Sequence, residues 1–231
     1  MRDDICTIPV SEVFEHNDGC PICRMRDTIE ERMTDYILGD AMMEPDVRIE
    51  TNKTGFCEHH YNNMMSRRGR LQLALMLQTH INEINGEIFK KKLFNTDSKK
   101  TGNAKNITDS CLICSKIEWG LSRMIETVYR CYETQKDFRD MFNSQSMFCL
   151  PHYERLLGGA SKRNMKSYYP EFSENLNRIT GEYSKSLYDD LSKYCTMYDY
   201  RSRDGETDWG NSRDAVERTV AFLNGRIYKE E

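Results

Sequence analysis

The sequence of 231 residues lacks the segments that would place a protein in a membrane or a secretory pathway. No run of apolar residues approaches the roughly 18 that a transmembrane helix needs. The N-terminal residues 1–5 include two acids and no apolar stretch typical of a signal peptide. With 30% charged and 38% hydrophobic residues and a mean hydropathy of −0.75, the composition predicts a helix-rich protein that stays in the cytoplasm.

The sequence also lacks the motifs of several common catalytic sites. It contains no glycine-rich phosphate-binding loop, no recognisable Ser/His/Asp arrangement and no H-E-x-x-H. These absences favour a protein that is not an enzyme, without excluding one.

An excess of positive charge is missing as well. The formal net charge is −4, and no basic recognition helix is evident, so nucleic-acid binding is not expected. One local group of basic residues is interpreted as a solvated helix end followed by a linker, with a polyanion-binding patch as the alternative. This group comprises Lys90, Lys91, Lys92, Lys99, Lys100 and Lys105.

Cysteine, in contrast, is plentiful. An odd total of nine, in a chain with no signal peptide, argues against a disulfide framework and for metal ligation. Two C-x-x-C motifs and two F-C-x-x-H-Y motifs together supply the candidate ligands Cys20, Cys23, Cys57, His60, Cys111, Cys114, Cys149 and His152. The remaining cysteines, Cys6, Cys131 and Cys195, are interpreted as ordinary buried side chains.

The motifs recur at matched spacing. The C-x-x-H follows the C-x-x-C after 33 residues in the first half and after 34 in the second. The spacing predicts that each C-x-x-C shares a metal ion with the C-x-x-H of its own half. The first predicted site comprises Cys20, Cys23, Cys57 and His60. The second comprises Cys111, Cys114, Cys149 and His152.

Three thiolates and one imidazole form the closed tetrahedral donor set that zinc prefers in structural sites. In each C-x-x-C the intervening turn brings residues i and i+3 to the same side, with a helix expected to follow the motif. In each C-x-x-H the two residues share a face in the first turn of a helix, so each motif directs two donors to one point. We therefore expect two Zn²⁺ ions per chain. Iron–sulfur ligation is an alternative, although compact cysteine runs are missing. Haem attachment is excluded because Arg24 and Ser115 occupy the positions where C-x-x-C-H requires histidine.

Hydrophobic periodicity predicts an all-α fold, a duplicated helical zinc-binding repeat whose long helices pack together. Long helices are expected over residues 71–93 and from Pro170 to Tyr198, and short irregular or extended segments over residues 1–19 and 44–53. The predicted domains are a first repeat at 1–94, a polar linker at 95–109, a second repeat at 110–199, and a polar tail with a short helix at 200–231.

Two polar segments, residues 46–52 and 201–214, provide a second kind of candidate site. An enzyme or small-ligand receptor would need a deep polar pocket that joins them, whereas capping and surface ion pairing would explain the same residues without a ligand. The candidate ligand-binding residues are Arg48, Glu50, Arg201, Asp204, Trp209 and Asn211. A further hypothesis is zinc or redox sensing, in which oxidation of Cys20, Cys23 and Cys57 releases the metal held with His60.

Several stretches occur together with the cysteine motifs: Cys20-Pro21-Ile22-Cys23, the approach from Pro45 to Cys57, Phe148-Cys149-x-x-His152, and the tail from Tyr198 to Arg201 and from Trp209 to Ala215. In this combination the chain resembles, over essentially its full length, a bacterial family known as a domain of unknown function. The resemblance implies a cytosolic bacterial protein and supplies no activity, substrate or catalytic residue. One departure is the segment from Asp204 to Asp208, where the family would have a shorter acidic-proline turn.

These observations predict a zinc-binding protein with structural metal sites and a binding or scaffolding role. A protein or small-molecule partner is expected, of a kind that the sequence does not identify. No nucleic acid and no membrane are expected to take part, and the sequence does not fix the oligomeric state.

Overall fold

A computed structural model of the protein describes residues 7–89, 96–161, 164–199 and 208–225, which form helices and no β-strand. The all-α prediction is confirmed. The α-helices of these ranges are α1 (Thr7–Phe14), α2 (Pro21–Leu38), α3 (Pro45–Thr54), α4 (Glu58–Ser66), α5 (Arg70–Ile84), α6 (Asp97–Thr108), α7 (Leu112–Thr134), α8 (Lys136–Asn143), α9 (Leu150–Gly159), α10 (Tyr169–Tyr198) and α11 (Ala215–Asn224). None of these helices has the length and apolar character needed to cross a membrane.

Three short segments of other helix types add to these α-helices in the described residues. A 3₁₀ turn covers Asp40–Met43, another covers Gly210–Ser212, and a π-helical turn at Asn85–Phe89 continues α5. The predicted helix from residue 71 is thus confirmed as far as Phe89, where the described residues break off.

The internal contacts divide the chain into two compact units. Unit 1 is formed from residues 1–26 and 121–231, and unit 2 from residues 27–120. This division differs from the predicted repeats at 1–94 and 110–199, because the N-terminal arm with the first C-x-x-C packs with the second half of the sequence.

Three stretches expected to be irregular are helical: α1 in the N-terminal arm, α3 in the approach to Cys57, and α6 in the predicted linker. Pro45 opens the first turn of α3, and the side chain of Thr96 caps α6 by accepting a hydrogen bond from the Lys99 amide. No residue of α6 is buried. Such a helix has no apolar stripe, so hydrophobic periodicity could not reveal it.

The core of unit 1 is aromatic. Rings of α1, α7, α8 and α10 contact one another with centroids 4.9–5.8 Å apart. The fully buried members of this cluster are Phe14, Tyr132, Phe138, Phe142, Phe148 and Phe172. Within unit 1, α10 packs mainly against α11, α9, the 3₁₀ turn at Gly210–Ser212 and α8. Phe148 directly precedes Cys149, so this core fixes one ligand-bearing segment.

The core of unit 2 is mostly aliphatic. Its buried cluster joins α2, α4 and α5 to the start of α7, and its members include Ile37, Leu38, Met64, Leu73, Met76, Phe56, Leu112 and Ile113. Phe56 precedes Cys57 and Leu112 follows Cys111 in the sequence. The same packing that buries these side chains therefore brings two metal-binding motifs together.

Candidate metal centres

The eight predicted ligands form two clusters, but the predicted pairing is wrong. Site A comprises Cys20, Cys23, Cys149 and His152. Site B comprises Cys57, His60, Cys111 and Cys114. Each C-x-x-C thus meets the C-x-x-H of the other half of the sequence. Matched spacing could not distinguish the two pairings, because exchanging the partners leaves every spacing unchanged.

All four motifs share one local structure, in which the first residue immediately precedes a helix and the last lies in its first turn. Cys20 precedes α2, Cys57 precedes α4, Cys111 precedes α7 and Cys149 precedes α9. In each, the amide of residue i+4 donates to the carbonyl of this cysteine, at 2.8–3.3 Å. The prediction that each C-x-x-H opens a helix is confirmed, whereas each C-x-x-C also opens a helix rather than forming a turn before one. A helix N-terminus also favours the thiolate over the thiol, which suits a metal ligand.

The donors of site A converge on one point. His152 Nδ1 lies 3.1 Å from Cys149 Sγ, 3.3 Å from Cys23 Sγ and 3.6 Å from Cys20 Sγ. The sulfurs of Cys23 and Cys149 are 3.5 Å apart. Zinc with bonds of about 2.3 Å to sulfur and about 2.0 Å to nitrogen would need tetrahedral edges of about 3.8 Å and about 3.5 Å. The donors of site A therefore fit a zinc ion with little movement.

Site B has the same arrangement. His60 Nδ1 lies 3.1 Å from Cys57 Sγ, 3.3 Å from Cys111 Sγ and 3.4 Å from Cys114 Sγ. The sulfurs of Cys57 and Cys114 are 3.8 Å apart, which matches the tetrahedral sulfur–sulfur edge. Both clusters present three sulfurs and the Nδ1 atom of one histidine, so they are equivalent in their donors.

Hydrogen bonds next to site A hold its two halves together. The Asn17 side chain donates to the carbonyl of Ser144 at 2.9 Å and accepts from the amide of Ser146. The Gln145 amide group donates to the carbonyl of Phe14 at 2.7 Å. These bonds lie a few residues before Cys20 and Cys149, so the polar turn that precedes each motif is fixed against the other.

Comparable bonds hold the halves of site B. The hydroxyl of Ser110 donates to the carbonyl of Thr54 at 2.7 Å, and the amide of Leu112 donates to the carbonyl of Gly55 at 3.1 Å. Gly55 has φ 61° and ψ −154°, a conformation almost restricted to glycine. A Cβ at this position would also lie 2.7 Å from Nε2 of His80. Gly55 is thus required both by its backbone conformation and by the closeness of His80.

The C-terminal end of α11 closes over site A. Gly225 ends this helix in the left-handed conformation, with φ 66°, and its carbonyl accepts a hydrogen bond from Arg26 at 2.6 Å. A Cβ on Gly225 would lie 3.2 Å from Cys149 Sγ and 3.8 Å from Cys23 Sγ. The absence of a side chain therefore lets α11 approach the sulfur atoms closely.

A cavity of about 320 Å³ adjoins site A. Its walls include three site A thiols together with Asp18, Tyr183, Asp214, Glu217 and Arg218. Arg218 is held there by ion pairs to Asp190 and Asp214, each at 2.9 Å. The cavity gives small molecules a route towards ligands that are otherwise enclosed.

The two sites differ in burial. All four side chains of site A are buried, whereas in site B Cys57 is half-buried and Cys114 is exposed. A reagent in solvent therefore meets a site B thiol directly.

Site B also has a carboxylate next to its histidine. Glu30 Oε1 lies 3.2 Å from His60 Nε2 and 2.7 Å from His59 Nε2. Hydrogen bonding to His60 lowers the pKa of Glu30 to about 2. No described carboxylate forms an ion pair with His152 of site A. The sequence indicated a supporting role for His59 but gave no sign of Glu30.

Two thiols of site B, those of Cys111 and Cys114, have pKa values shifted in opposite directions. Burial raises the pKa of Cys114 to about 12, and the neighbouring Cys111 acts in the same direction. Burial also opposes ionisation of Cys111, but hydrogen bonds to His60 and to the backbone of Cys114 and Cys57 together outweigh it and lower the pKa of Cys111 to about 6.

Site A shows the same division. Hydrogen bonding to Cys149 raises the pKa of Cys23 far above its ordinary value. For Cys20 burial opposes ionisation, but hydrogen bonds with Cys149, Cys23 and His152 outweigh it and lower the pKa. Each cluster thus has one thiol of lowered pKa, Cys20 or Cys111, beside a thiol of raised pKa, Cys23 or Cys114, and a cation that bound there would displace the protons of its thiol ligands.

The candidate ligand-binding residues have separate surroundings. Arg48 donates to Thr79 Oγ1 at 2.9 Å and to the Leu75 carbonyl at 3.0 Å. Glu50 forms an ion pair with Lys116 at 2.9 Å. These contacts join α3 to α5 and α7 within unit 2, as surface pairing would. Neither residue lines the cavity at site A.

The tail candidates belong to unit 1. The Trp209 ring contacts Tyr194 and Tyr198 with centroids 5.8 Å and 5.4 Å away, and the Asn211 carbonyl accepts a hydrogen bond from Arg218. Arg201 and Asp204 lie outside the described residues. A ligand-binding role for any of these side chains remains a prediction.

Two of the three remaining cysteines can be placed. Cys131 is buried, as predicted, but Cys195 is exposed on α10, so the prediction of a buried side chain is wrong there. Cys6 lies outside the described residues.

Comparison with known proteins supports the resemblance seen in the sequence. The model of a family of unknown function (DUF6062) matches residues 1–230. No curated protein and no solved structure matches the chain.

Proposed function

The chain belongs to DUF6062, a family of unknown function, and we propose that it is a two-zinc protein whose ions each fasten two distant parts of one chain. The observation that carries this proposal is the crossed pairing of complete Cys₃His donor sets. Residues 126 positions apart meet at site A, and residues 51 positions apart meet at site B. Each ion would act as a cross-link between distant segments that core packing and hydrogen bonds already bring together.

The donor chemistry supports zinc over other metals. Three thiolates and an imidazole at tetrahedral spacing suit Zn²⁺, and hard cations such as Mg²⁺ and Ca²⁺ prefer oxygen ligands. A reducing bacterial cytoplasm, which is part of the proposal, would keep the thiols available as ligands.

The role that follows is binding or scaffolding rather than catalysis. A Cys₃His set fills all four tetrahedral positions and leaves none for a substrate. The working surface would then lie away from the metals, with a protein or small molecule as partner. The net charge of −4 does not favour a nucleic acid.

Zinc content in paired variants tests the proposal. The wild-type protein purified without added metal should contain two zinc ions per chain by elemental analysis. Cys23→Ser/Cys149→Ser removes two ligands of site A alone and should leave one zinc. Cys23→Ser/Cys57→Ser removes one ligand from each site and should leave none.

These double variants form a matched set, because each replaces two ligand cysteines by serine. Pairing within the sequence halves would give the opposite result, with no zinc in the first variant and one in the second. Iron in place of zinc would refute the choice of metal.

A second candidate function, zinc or redox sensing, is favoured by the exposure of Cys114. An oxidant such as hydrogen peroxide would convert an accessible thiolate to sulfenic acid and release the ion of site B first. We expect mild peroxide to release one zinc per chain while the helical circular dichroism signal persists. Loss of zinc only together with unfolding would contradict sensing. The small-ligand receptor is the remaining alternative, and the cavity beside site A is the feature that supports it.

A further inference from the structure

The imidazole of His60 has different neighbours at its two nitrogens. Nδ1 lies 3.1–3.4 Å from the three sulfurs of site B. Nε2 lies on the opposite side of the ring, 3.2 Å from Glu30 Oε1. His60 is 2% exposed, and its buried Nε2 makes no hydrogen bond of regular geometry among the described residues. The Glu30 carboxylate is therefore close enough to receive, after a small rotation of either side chain, the proton that a metal-bound imidazole would carry on Nε2.

We propose that Glu30 is a positioning residue of site B, which fixes the tautomer and orientation of His60 and thereby raises the zinc affinity of that site. A carboxylate that accepts the second N–H of a ligating histidine keeps the ring aligned with the metal and makes its other nitrogen a stronger donor. The inference rests on the proposed binding of zinc and concerns how tightly one site holds it.

His59 supports the carboxylate from the solvent side. Its Nε2 lies 2.7 Å from the same Oε1 atom, and its side chain is half exposed whereas that of Glu30 is largely covered. Two histidines thus converge on one oxygen, one from the metal site and one from the surface. This contact restrains Glu30 on the face of α2 that points towards α4.

Site A lacks this arrangement, since no carboxylate of the described ranges pairs with His152. The two sites have the same four donor types at similar distances, so the carboxylate is a difference that can be tested within one molecule. Site A then serves as an internal reference for any change made at Glu30.

The variant Glu30→Gln keeps the size of the side chain and one oxygen acceptor but removes the charge, and Glu30→Ala removes both. We expect Glu30→Gln to lower the zinc affinity of site B by about 10-fold and Glu30→Ala by up to about 100-fold, the range for loss of such outer partners. Competition with a chromophoric chelator measures both affinities of the full-length protein. Glu31→Gln, on the next and exposed residue of α2, is the matched control and should change neither.

Cadmium replacement assigns the effect to one site. With ¹¹³Cd at both sites, Glu30→Gln should shift one of the two resonances and leave the other in place, whereas general destabilisation would disturb both. A wild-type protein that binds no zinc would refute the proposed function itself.

Two bound ions with unchanged affinities and resonances in Glu30→Gln would refute only the role of Glu30. A third cation per chain, lost on the same substitution, would also refute it. That result would make Glu30, His59 and His60 ligands of a separate cation.

Discussion

Sites A and B show how one motif can give two different chemical environments. Both use two helix N-termini, three sulfurs and the Nδ1 atom of one histidine. Site A is enclosed, with Gly225 at the end of α11 packed against its sulfurs. Site B leaves Cys114 exposed and has Glu30 beside its histidine. Identical ligands therefore do not imply identical accessibility, because accessibility is decided by the elements that cover the site.

The largest expected difference between the two regions is in their dependence on metal. A structural zinc contributes on the order of 10 kcal/mol, comparable to the whole stability of a domain, about 5–15 kcal/mol. Cys149→Ser should therefore abolish hydrogen-exchange protection in residues 121–199 and leave residues 27–120 protected. Cys57→Ser should give the reverse pattern. Equal loss of protection in both units by either variant would show that the two do not fold separately.

The cores provide the next comparison. Phe142→Ala removes a fully buried ring that contacts Phe14, Phe148 and Phe172, and should lower the free energy of unfolding by about 3–5 kcal/mol. Met64→Ala, in the aliphatic core of unit 2, should cost about 2–5 kcal/mol. Denaturant unfolding of zinc-saturated protein measures both.

An exposed residue provides the control for these truncations. The side chain of Phe89 is 71% exposed, so Phe89→Ala should change the unfolding free energy by less than about 0.5 kcal/mol. A cost for Phe142→Ala as small as that of Phe89→Ala would refute the aromatic core.

Replacing one glycine near each site by alanine compares how strictly the backbone conformation is required at the two sites. Gly55→Ala near site B should cost about 1–3 kcal/mol for its conformation, with a further cost from the contact with His80. Gly225→Ala at site A should cost about 1–2 kcal/mol for the left-handed conformation. Gly102, on the exposed α6, has open space around it and is the control. Thermal unfolding ranks the three, and a larger effect at Gly225 than at Gly55 would contradict the ranking.

The smallest effect concerns alkaline pH. Burial raises the pKa of Tyr132 in unit 1 to about 12, against about 10 for an unfolded tyrosine. Between these values the unfolded chain loses a proton that the folded protein keeps, so stability falls as pH rises from about 10 to about 12. Tyr132→Phe should reduce this fall, at a cost near neutral pH of about 1 kcal/mol for its lost hydrogen bonds.

Urea unfolding at pH 8 and pH 11 provides the measurement. The largely exposed Tyr188 is the control, and Tyr188→Phe should behave as the wild type does. If Tyr132→Phe loses as much unfolding free energy between pH 8 and pH 11 as the wild type does, Tyr132 is not a cause of the alkaline loss of stability.

The members of both clusters could be predicted from the sequence because cysteine and histidine at i and i+3 have a specific chemistry, whereas their role as metal ligands stays a prediction. Their partners could not be predicted, since the choice between Cys57 and Cys149 as the partner of Cys20 depends on how distant segments pack. Asn17, Gln145 and Ser110 form hydrogen bonds between these distant segments, and no local pattern contains such contacts.

Glu30 was missed for a related reason. It lies on α2, seven residues beyond Cys23, yet it serves the histidine of the other site. The polar helices α3 and α6 were missed because capping and tertiary contacts, rather than an apolar stripe, form them. The long amphipathic helices, such as α10, were predicted because their apolar spacing is continuous.

The crossed pairing also sets an order of assembly. The segment from Cys57 to Cys114 lies wholly inside the one from Cys23 to Cys149, so in the proposed two-zinc protein one metal-closed loop would lie within the other. Closing the inner loop first shortens the outer one and lowers the entropy lost when it closes. During synthesis all four residues of site B are present once residue 114 has emerged from the ribosome. Site A is complete only after His152 has emerged. Of the candidate ligand cysteines, the first two to be synthesised would thus be the last to find their partners, and in the interval a competing metal or an oxidant could reach them.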